Sequence, residues 1–145
     1  MNHFNTRLFV IALLTPLMAS PLSAADGSVI KIEVKSSATE TVESLKKLIT
    51  EKRFKIVSLH NHGDEKTVKQ VISFEKTDHN ARIMWHDPAA ILELPLKIAV
   101  FQDDVSTQVV YRKPSAFRNS YSLQNCNLLD ELDLVMAELA QNASQ

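Results

Sequence analysis

The chain has 145 residues, with 16 basic and 17 acidic side chains, two glycines and one cysteine. Its length suits a single domain, and its near-neutral charge lacks the clustered basic residues of a general nucleic-acid-binding protein. One cysteine excludes an internal disulfide and a zinc ribbon. Two glycines are too few for a phosphate-binding loop or a dinucleotide-binding fingerprint.

Residues 1–25 have the layout of a secretory signal peptide. Arg7 precedes the apolar run Leu8–Leu14, and Ser23–Ala25 supplies small residues for cleavage. The alternative is an uncleaved membrane anchor, but the apolar stretch is shorter than the roughly 20 residues that a spanning helix needs. We therefore predict cleavage at the end of this segment, no stable membrane anchor, and a single domain over 26–145 that is periplasmic or secreted.

The predicted mature chain begins with a strand and an amphipathic helix. Val29–Lys35 alternates apolar and polar residues, which is typical of a half-buried strand. Ser37 and Glu40 have the spacing of a capping box. The apolar stripe that follows predicts a helix from Ser37 to about Arg53 that packs on a sheet.

Four more strands and two more helices are predicted downstream. Asp78 is interpreted as part of a helix cap rather than as an acid catalyst. The segments are Phe54–Leu59, Val68–Phe74, Leu96–Gln102 and Thr107–Lys113 for the strands, and Ala81–His86 and Asn125–Asn142 for the helices. Turn residues between the last two strands favour an antiparallel hairpin. The order β-α-β-β-(short α)-β-β-α predicts a two-layer α+β fold, with an antiparallel sheet and two main helices on one face.

Histidines are concentrated in the middle of the chain. If the second strand continues past its predicted end, His60 and His62 share a face, because side chains alternate along a strand. Asp64, His79 or His86 would then complete a metal site in space. The alternative, which we favour, is a pair of strand-end histidines that bind nothing, because two residues fall short of the ligands that a metal site needs.

A carboxylate and several strand residues are candidates for binding a ligand. Glu93 has apolar neighbours in the sequence; if buried it would serve as an acid, whereas an exposed loop glutamate is the commoner outcome. Lys97 and Tyr111, with Arg112 and Lys113, would line a cavity for an anionic ligand or lie on a solvated strand face, which we prefer. The expected residues are His62, Glu93, Lys97 and Tyr111 for a ligand, and His60 with His62 for a metal ion.

Two segments in the second half resemble the domain-of-unknown-function family number 302. They are Asp87–Val100 (DPAAILELPLKIAV), followed by Phe101–Asp104, and Val109–Phe117 (VVYRKPSAF). The match is most specific over Leu94–Lys97 and Tyr111–Pro114. This resemblance covers most of the predicted mature chain.

An upstream segment is similar to the same family and also departs from it. Phe54–Val57 leading into Asn61-His62 is similar to the family's strand that ends in an Asp-His pair, so His62 would be the family histidine. Gly63–Thr67 is too short for the helical segment that the family has next, and Phe74–Thr77 lacks the family's glycine and proline. If the family pocket depends on those elements, this chain has altered it.

The resemblance implies a TATA-binding-protein-like fold, often dimeric, with no established reaction; the fold name does not imply DNA binding. Three functions are weighed. The one we predict is a non-enzymatic exported module, a homodimer that binds a small ligand or a metal ion. The others are a structural, partner-binding envelope protein, and a hydrolase-type enzyme using His62 with Glu93 or Asp64 as acid and base. The sequence names no cofactor.

Overall fold

The computed structural model describes residues 28–64, 67–103 and 105–143, and the structural statements below concern these ranges. The expected signal peptide lies outside them. The strands are β1 (Val29–Val34), β2 (Lys55–Asn61), β3 (Lys69–Glu75), β4 (Leu96–Gln102) and β5 (Thr107–Arg112). The helices are α1 (Ala38–Glu51), α2 (Thr77–His86) and α3 (Leu128–Asn142), with 3-10 helices at Pro88–Glu93 and Pro114–Asn119.

The five strands form one antiparallel sheet in the order β1-β5-β4-β3-β2. The predicted hairpin of β4 and β5 is present, with Ile98 opposite Tyr111 and Val100 opposite Val109. β1 and β2 are the two edges of the sheet. A bulge at Val57 interrupts the β2–β3 register between Ile56 and Ser58.

One face of the sheet carries the hydrophobic core. Ile72, Ile98 and Val109 on this face are buried, because α1 and α3 pack over the strands. The helices contribute the apolar stripes that their sequence periodicity predicts. The fully buried helix residues include Leu45, Ile49, Leu128, Leu129 and Leu139. The two-layer α+β prediction is therefore confirmed.

The capping box at the start of α1 is present. The Ser37 hydroxyl accepts a hydrogen bond from the Glu40 amide at 3.3 Å, and the Glu40 carboxylate accepts one from the Ser37 amide at 3.0 Å. These bonds satisfy two of the amides that a helix N-terminus leaves without partners. The chain leaves the helix at Arg53, whose φ of 61° lies in the left-handed region typical of a helix end.

The start of α2 differs from the prediction. The helix begins at Thr77 and its cap residue is Lys76, which makes no side-chain capping bond. Asp78 therefore lies inside the first turn, and the prediction that it caps the helix is wrong. The side chain of Asn80, in the first turn of α2, donates a hydrogen bond to the Glu75 carboxylate at 2.9 Å.

Two polar links connect α3 to the segment after β5. Asp133 accepts hydrogen bonds from the Ser115 amide at 2.9 Å and the Ser115 hydroxyl at 2.5 Å. The Asp130 carboxylate accepts hydrogen bonds from both terminal nitrogens of Arg118 at 2.8 Å. Arg118 also donates a hydrogen bond to the Cys126 carbonyl at 2.9 Å. A bidentate pair of this kind fixes orientation as well as distance. No helix in the described ranges is long and apolar enough to cross a membrane.

Candidate functional site

The face of the sheet opposite the helices, which we call the open face, is uncovered in the described chain. Alternation from the observed register assigns its side chains. Its centre is apolar, with Val71, Ala99 and Val110 side by side on β3, β4 and β5. The charged strand residues on this face are Lys31, Lys55, Lys69, Lys97, Arg112, Glu33 and Glu75. Five cations and two carboxylates make the face positive, although the whole chain has a formal charge of −1.

A cavity of about 370 Å³ lies at one end of the open face. Its apolar walls come from Val29, Val71, Ala99, Val110 and Phe117. Its polar border includes Glu93, Lys97 and Arg112. A mainly apolar cavity with a few polar groups at one end is the usual form of a small-molecule site, and this volume is within the usual range.

Glu93 is half-buried and has two polar neighbours at this cavity. Its carboxylate accepts a hydrogen bond from the Tyr121 hydroxyl at 3.1 Å and lies 4.0 Å from the nearest terminal nitrogen of Arg112. The carboxylate therefore lies between a phenol and a guanidinium, and fits neither the fully buried nor the fully exposed expectation. Burial, and then the bond to Glu93, raise the pKa of Tyr121, so the phenol stays protonated and donates this bond.

Lys97 and Tyr111 also border the cavity, but in different ways. Lys97 is exposed on the open face, and its ammonium donates to the Pro95 carbonyl at 3.0 Å. Tyr111 stands opposite Ile98, so its ring belongs to the face that the helices cover. Burial, and then the Asp133 carboxylate on α3, raise the pKa of Tyr111. Its hydroxyl thus belongs to the interior rather than to an anion site.

His62 lines a second cavity, of about 230 Å³, together with Lys69, Val71, Ala99 and Phe101. Val71 and Ala99 also line the first cavity, so the two cavities adjoin across this pair. The four residues expected to bind a ligand therefore divide between two neighbouring cavities. Glu93, Lys97 and Tyr111 border one, and His62 the other.

His60 and His62 come together as a stacked pair. β2 continues to Asn61, and the two rings lie 5.9 Å apart between centroids. In the described ranges, no group of three or more His, Cys, Asp or Glu side chains is arranged to hold a metal ion. Neither His79, which packs edge-on against Phe54, nor His86, which contacts Trp85, joins the pair. The metal site therefore stays a prediction with two ligands from the chain.

The position directly after His62 requires a glycine. The Gly63 amide donates to the Asn61 side chain at 2.9 Å, and the His62 amide pairs with the Lys69 carbonyl at 2.7 Å. A Cβ on Gly63 would lie 1.7 Å from the Thr67 carbonyl oxygen. Asp64 accepts two hydrogen bonds from Thr67. His62 and Glu93, one acid–base pair of the hydrolase alternative, border different cavities.

His79 is partly buried on the helix side of the sheet. It packs beside Phe54 with its Nδ1 atom buried and without a hydrogen-bond partner in the described structure. Burial lowers the pKa of His79, and Lys76 and Arg82 act in the same direction, while Asp78 and Glu131 oppose them. This histidine therefore has a structural position away from both cavities.

Sequence reasoning missed the small apolar residues on which the cavities depend. Ala99 and Val71 are ordinary strand residues in the sequence, and their role follows from the strand order, which brings β3 and β4 together. Tyr121 lies in an irregular segment after the second 3-10 helix and reaches Glu93 across 28 residues of sequence. No local pattern indicates that contact.

Comparison with known proteins gives one family model and a solved structure that match the chain. A family model described as domain of unknown function DUF302 matches residues 30–139. A crystal structure of an uncharacterized conserved protein DUF302 from Bacillus stearothermophilus is similar with a TM-score of 0.67 and 16% identity, covering 82% of this chain and 99% of that chain. At this identity the likeness shows the fold. No curated protein matches the chain.

A first prediction concerns pH and His79. Burial lowers the pKa of His79 in the folded protein. As the pH falls below about 6.5, the unfolded chain therefore binds a proton at His79 before the folded chain does. Stability is then full above that pH and declines towards the lower, folded-state pKa. We expect His79→Phe to remove part of this decline in urea unfolding measured from about pH 7.5 to pH 5. His60→Gln, at an exposed site, is the control, and equal pH slopes for both variants would refute the assignment.

Proposed function

The chain belongs to the DUF302 family, and from its open face we propose that it is an exported, non-enzymatic module that binds a small ligand. The observation that supports this proposal is the pair of adjoining cavities over Val71 and Ala99, with cationic side chains at their ends. The layout of residues 1–25 supports export. The acid and base of the hydrolase alternative, His62 and Glu93, lie at different cavities, and this separation favours binding over that reaction.

Ala99 provides the test, because it lies in the wall that both cavities share. We expect anilinonaphthalene sulfonate, an apolar anion that fluoresces on leaving water, to bind the mature protein. Ala99→Phe places a large side chain in the space above the shared wall. It should weaken dye binding about tenfold or more, comparable to losing a well-packed apolar contact. Fluorescence titration gives the affinities.

The control is Thr39→Phe, on the exposed surface of α1 and away from both cavities. Its affinity for the dye should equal that of the wild type. Binding that is absent from the wild type, or equal in the two variants, would contradict a site on the open face. Unchanged melting temperatures show that both variants are folded.

The stacked histidines support a second candidate, capture of a divalent transition metal by His60 and His62. Two imidazoles leave the remaining positions to water, so we expect weak binding compared with a four-ligand structural zinc site. The test is calorimetric titration of untagged protein with Cu²⁺ and Zn²⁺. His60→Ala and His62→Ala should each abolish the binding and His86→Ala should preserve it; identical isotherms for all three would exclude this site.

We also propose that the protein is a homodimer. Support comes from an exposed apolar patch on the consecutive elements α2 and the first 3-10 helix, where Trp85 is 81%, Leu92 77% and Ile91 56% exposed. Large exposed apolar groups mark interaction surfaces, and tryptophan is enriched at their centres. The structural, partner-binding alternative would use this same patch.

Sedimentation equilibrium distinguishes the homodimer from that alternative. The mature protein should sediment as a dimer, and Trp85→Ser should shift it to a monomer, since truncating a central aromatic anchor commonly costs at least about tenfold in affinity. Leu134→Ser, on an exposed part of α3, serves as the control. A monomeric wild type would refute self-association.

A further inference from the structure

We propose that the open face takes a single-chain amphiphile with a carboxylate head, of the fatty-acid class. The inference rests on the proposed ligand-binding function and specifies its ligand. The head lies near Lys97 and Arg112, and the alkyl chain runs across Val71 and Ala99 towards Phe101.

The shape of the site favours a long apolar chain. The cavities of about 370 and 230 Å³ adjoin at Val71 and Ala99 and form one track along the sheet surface. Val71 and Ala99, direct neighbours in the β3–β4 register, make the floor of this track, and its far end is the Phe101 ring, over which the Lys31 ammonium lies. Burying apolar surface on such a floor contributes free energy in proportion to its area. An alkyl chain can follow the track along its length.

The charges at the head end favour an anion. Arg112 has five N–H donors, and the Glu93 carboxylate lies 4.0 Å from one of them, beyond hydrogen-bond distance. Lys97 uses one of its three donors on the Pro95 carbonyl. Both cations therefore keep donors for a ligand. An arginine fork matches the two oxygens of a carboxylate.

Glu93 opposes an anionic ligand. Its replacement therefore tests the inference independently of Arg112, because the two variants should change the affinity in opposite directions. Its carboxylate borders the same cavity, and like charges at short range repel. The Tyr121 hydroxyl bonds to one of its oxygens at 3.1 Å, and a glutamine would still offer an acceptor there. Replacing Glu93 by glutamine should therefore retain the local structure while removing the repulsion.

A set of three amphiphiles with the same tail tests the head group. Monomeric decanoate, decanol and decyltrimethylammonium are titrated calorimetrically into the mature protein. We expect decanoate to bind about tenfold more tightly than decanol, as for one charge-assisted hydrogen-bonded contact, and the cation to bind most weakly. Ala99→Phe should weaken decanoate and decanol alike, because both tails use the same track.

The variants assign the preference to its residues. Arg112→Gln should remove most of the advantage of decanoate over decanol, Glu93→Gln should increase it, and Arg82→Gln, on exposed α2, should leave it unchanged. Equal affinities for decanoate and decanol, or equal effects of Arg112→Gln and Arg82→Gln, would overturn the carboxylate class. Binding of anilinonaphthalene sulfonate that still depends on Ala99 would then leave the broader binding function intact.

Vesicles separate a single amphiphile from a membrane surface. Phosphatidylglycerol vesicles present many anionic heads but keep their alkyl chains within the bilayer. Co-sedimentation with these vesicles, without binding of decanoate, would overturn the proposal in favour of a membrane-facing surface. Binding of decanoate with no effect of Ala99→Phe would overturn it as well, because the chain would then lie elsewhere.

Discussion

The sheet has helices on one side only, and this one-sided coverage shapes the rest of the molecule. Side chains on a strand alternate between two faces. Every strand that supplies apolar residues to the core therefore also places side chains, polar or apolar, on the open face. On β4, Leu96, Ile98 and Val100 are buried below the helices, while Lys97 and Ala99 face the other way. The core needs only the first set. The composition of the second set, positive at its ends and apolar at its centre, is therefore available for function.

The position of α3 relative to the sheet depends on polar links as well as on apolar packing. Hydrophobic burial is not directional, whereas the Ser115–Asp133 and Arg118–Asp130 contacts fix specific atoms at 2.5–2.9 Å. These contacts join the end of β5 to α3. The same segment brings Tyr121 to Glu93. The segment after β5 thus contacts α3 in the helix layer through Ser115 and Arg118. Through Tyr121 the same segment contacts Glu93 at the border of the first cavity.

The sequence predicts the five strands and the two main helices but neither the start of α2 nor the site, and particular residues show why. The capping box at Ser37 and the alternation of Leu96–Gln102 are local patterns, and both appear in the structure as predicted. The alternation of side chains along a strand also predicts that His60 and His62 share a face, and their rings are stacked in the structure. In contrast, the cavities depend on strand order, because Val71 and Ala99 become neighbours only when β3 pairs with β4. The position of Tyr111 shows the limit, since the solvated strand face preferred for it is wrong: the residue is buried on the helix side and also borders the first cavity.

A ligand and a second copy of the chain do not compete if they use different layers. A dimer formed across the open face would cover the track over Ala99 and exclude an alkyl chain. Pairing along the free edge of β2 is hindered by the bulge at Val57, because a bulge disrupts the regular ladder of an edge strand. The patch around Trp85 lies on α2, which packs beside α3 in the helix layer. Association centred on Trp85 is therefore compatible with a ligand on the track over Ala99, whereas Ile91 and Leu92 of the same patch directly precede Glu93 at the border of the first cavity.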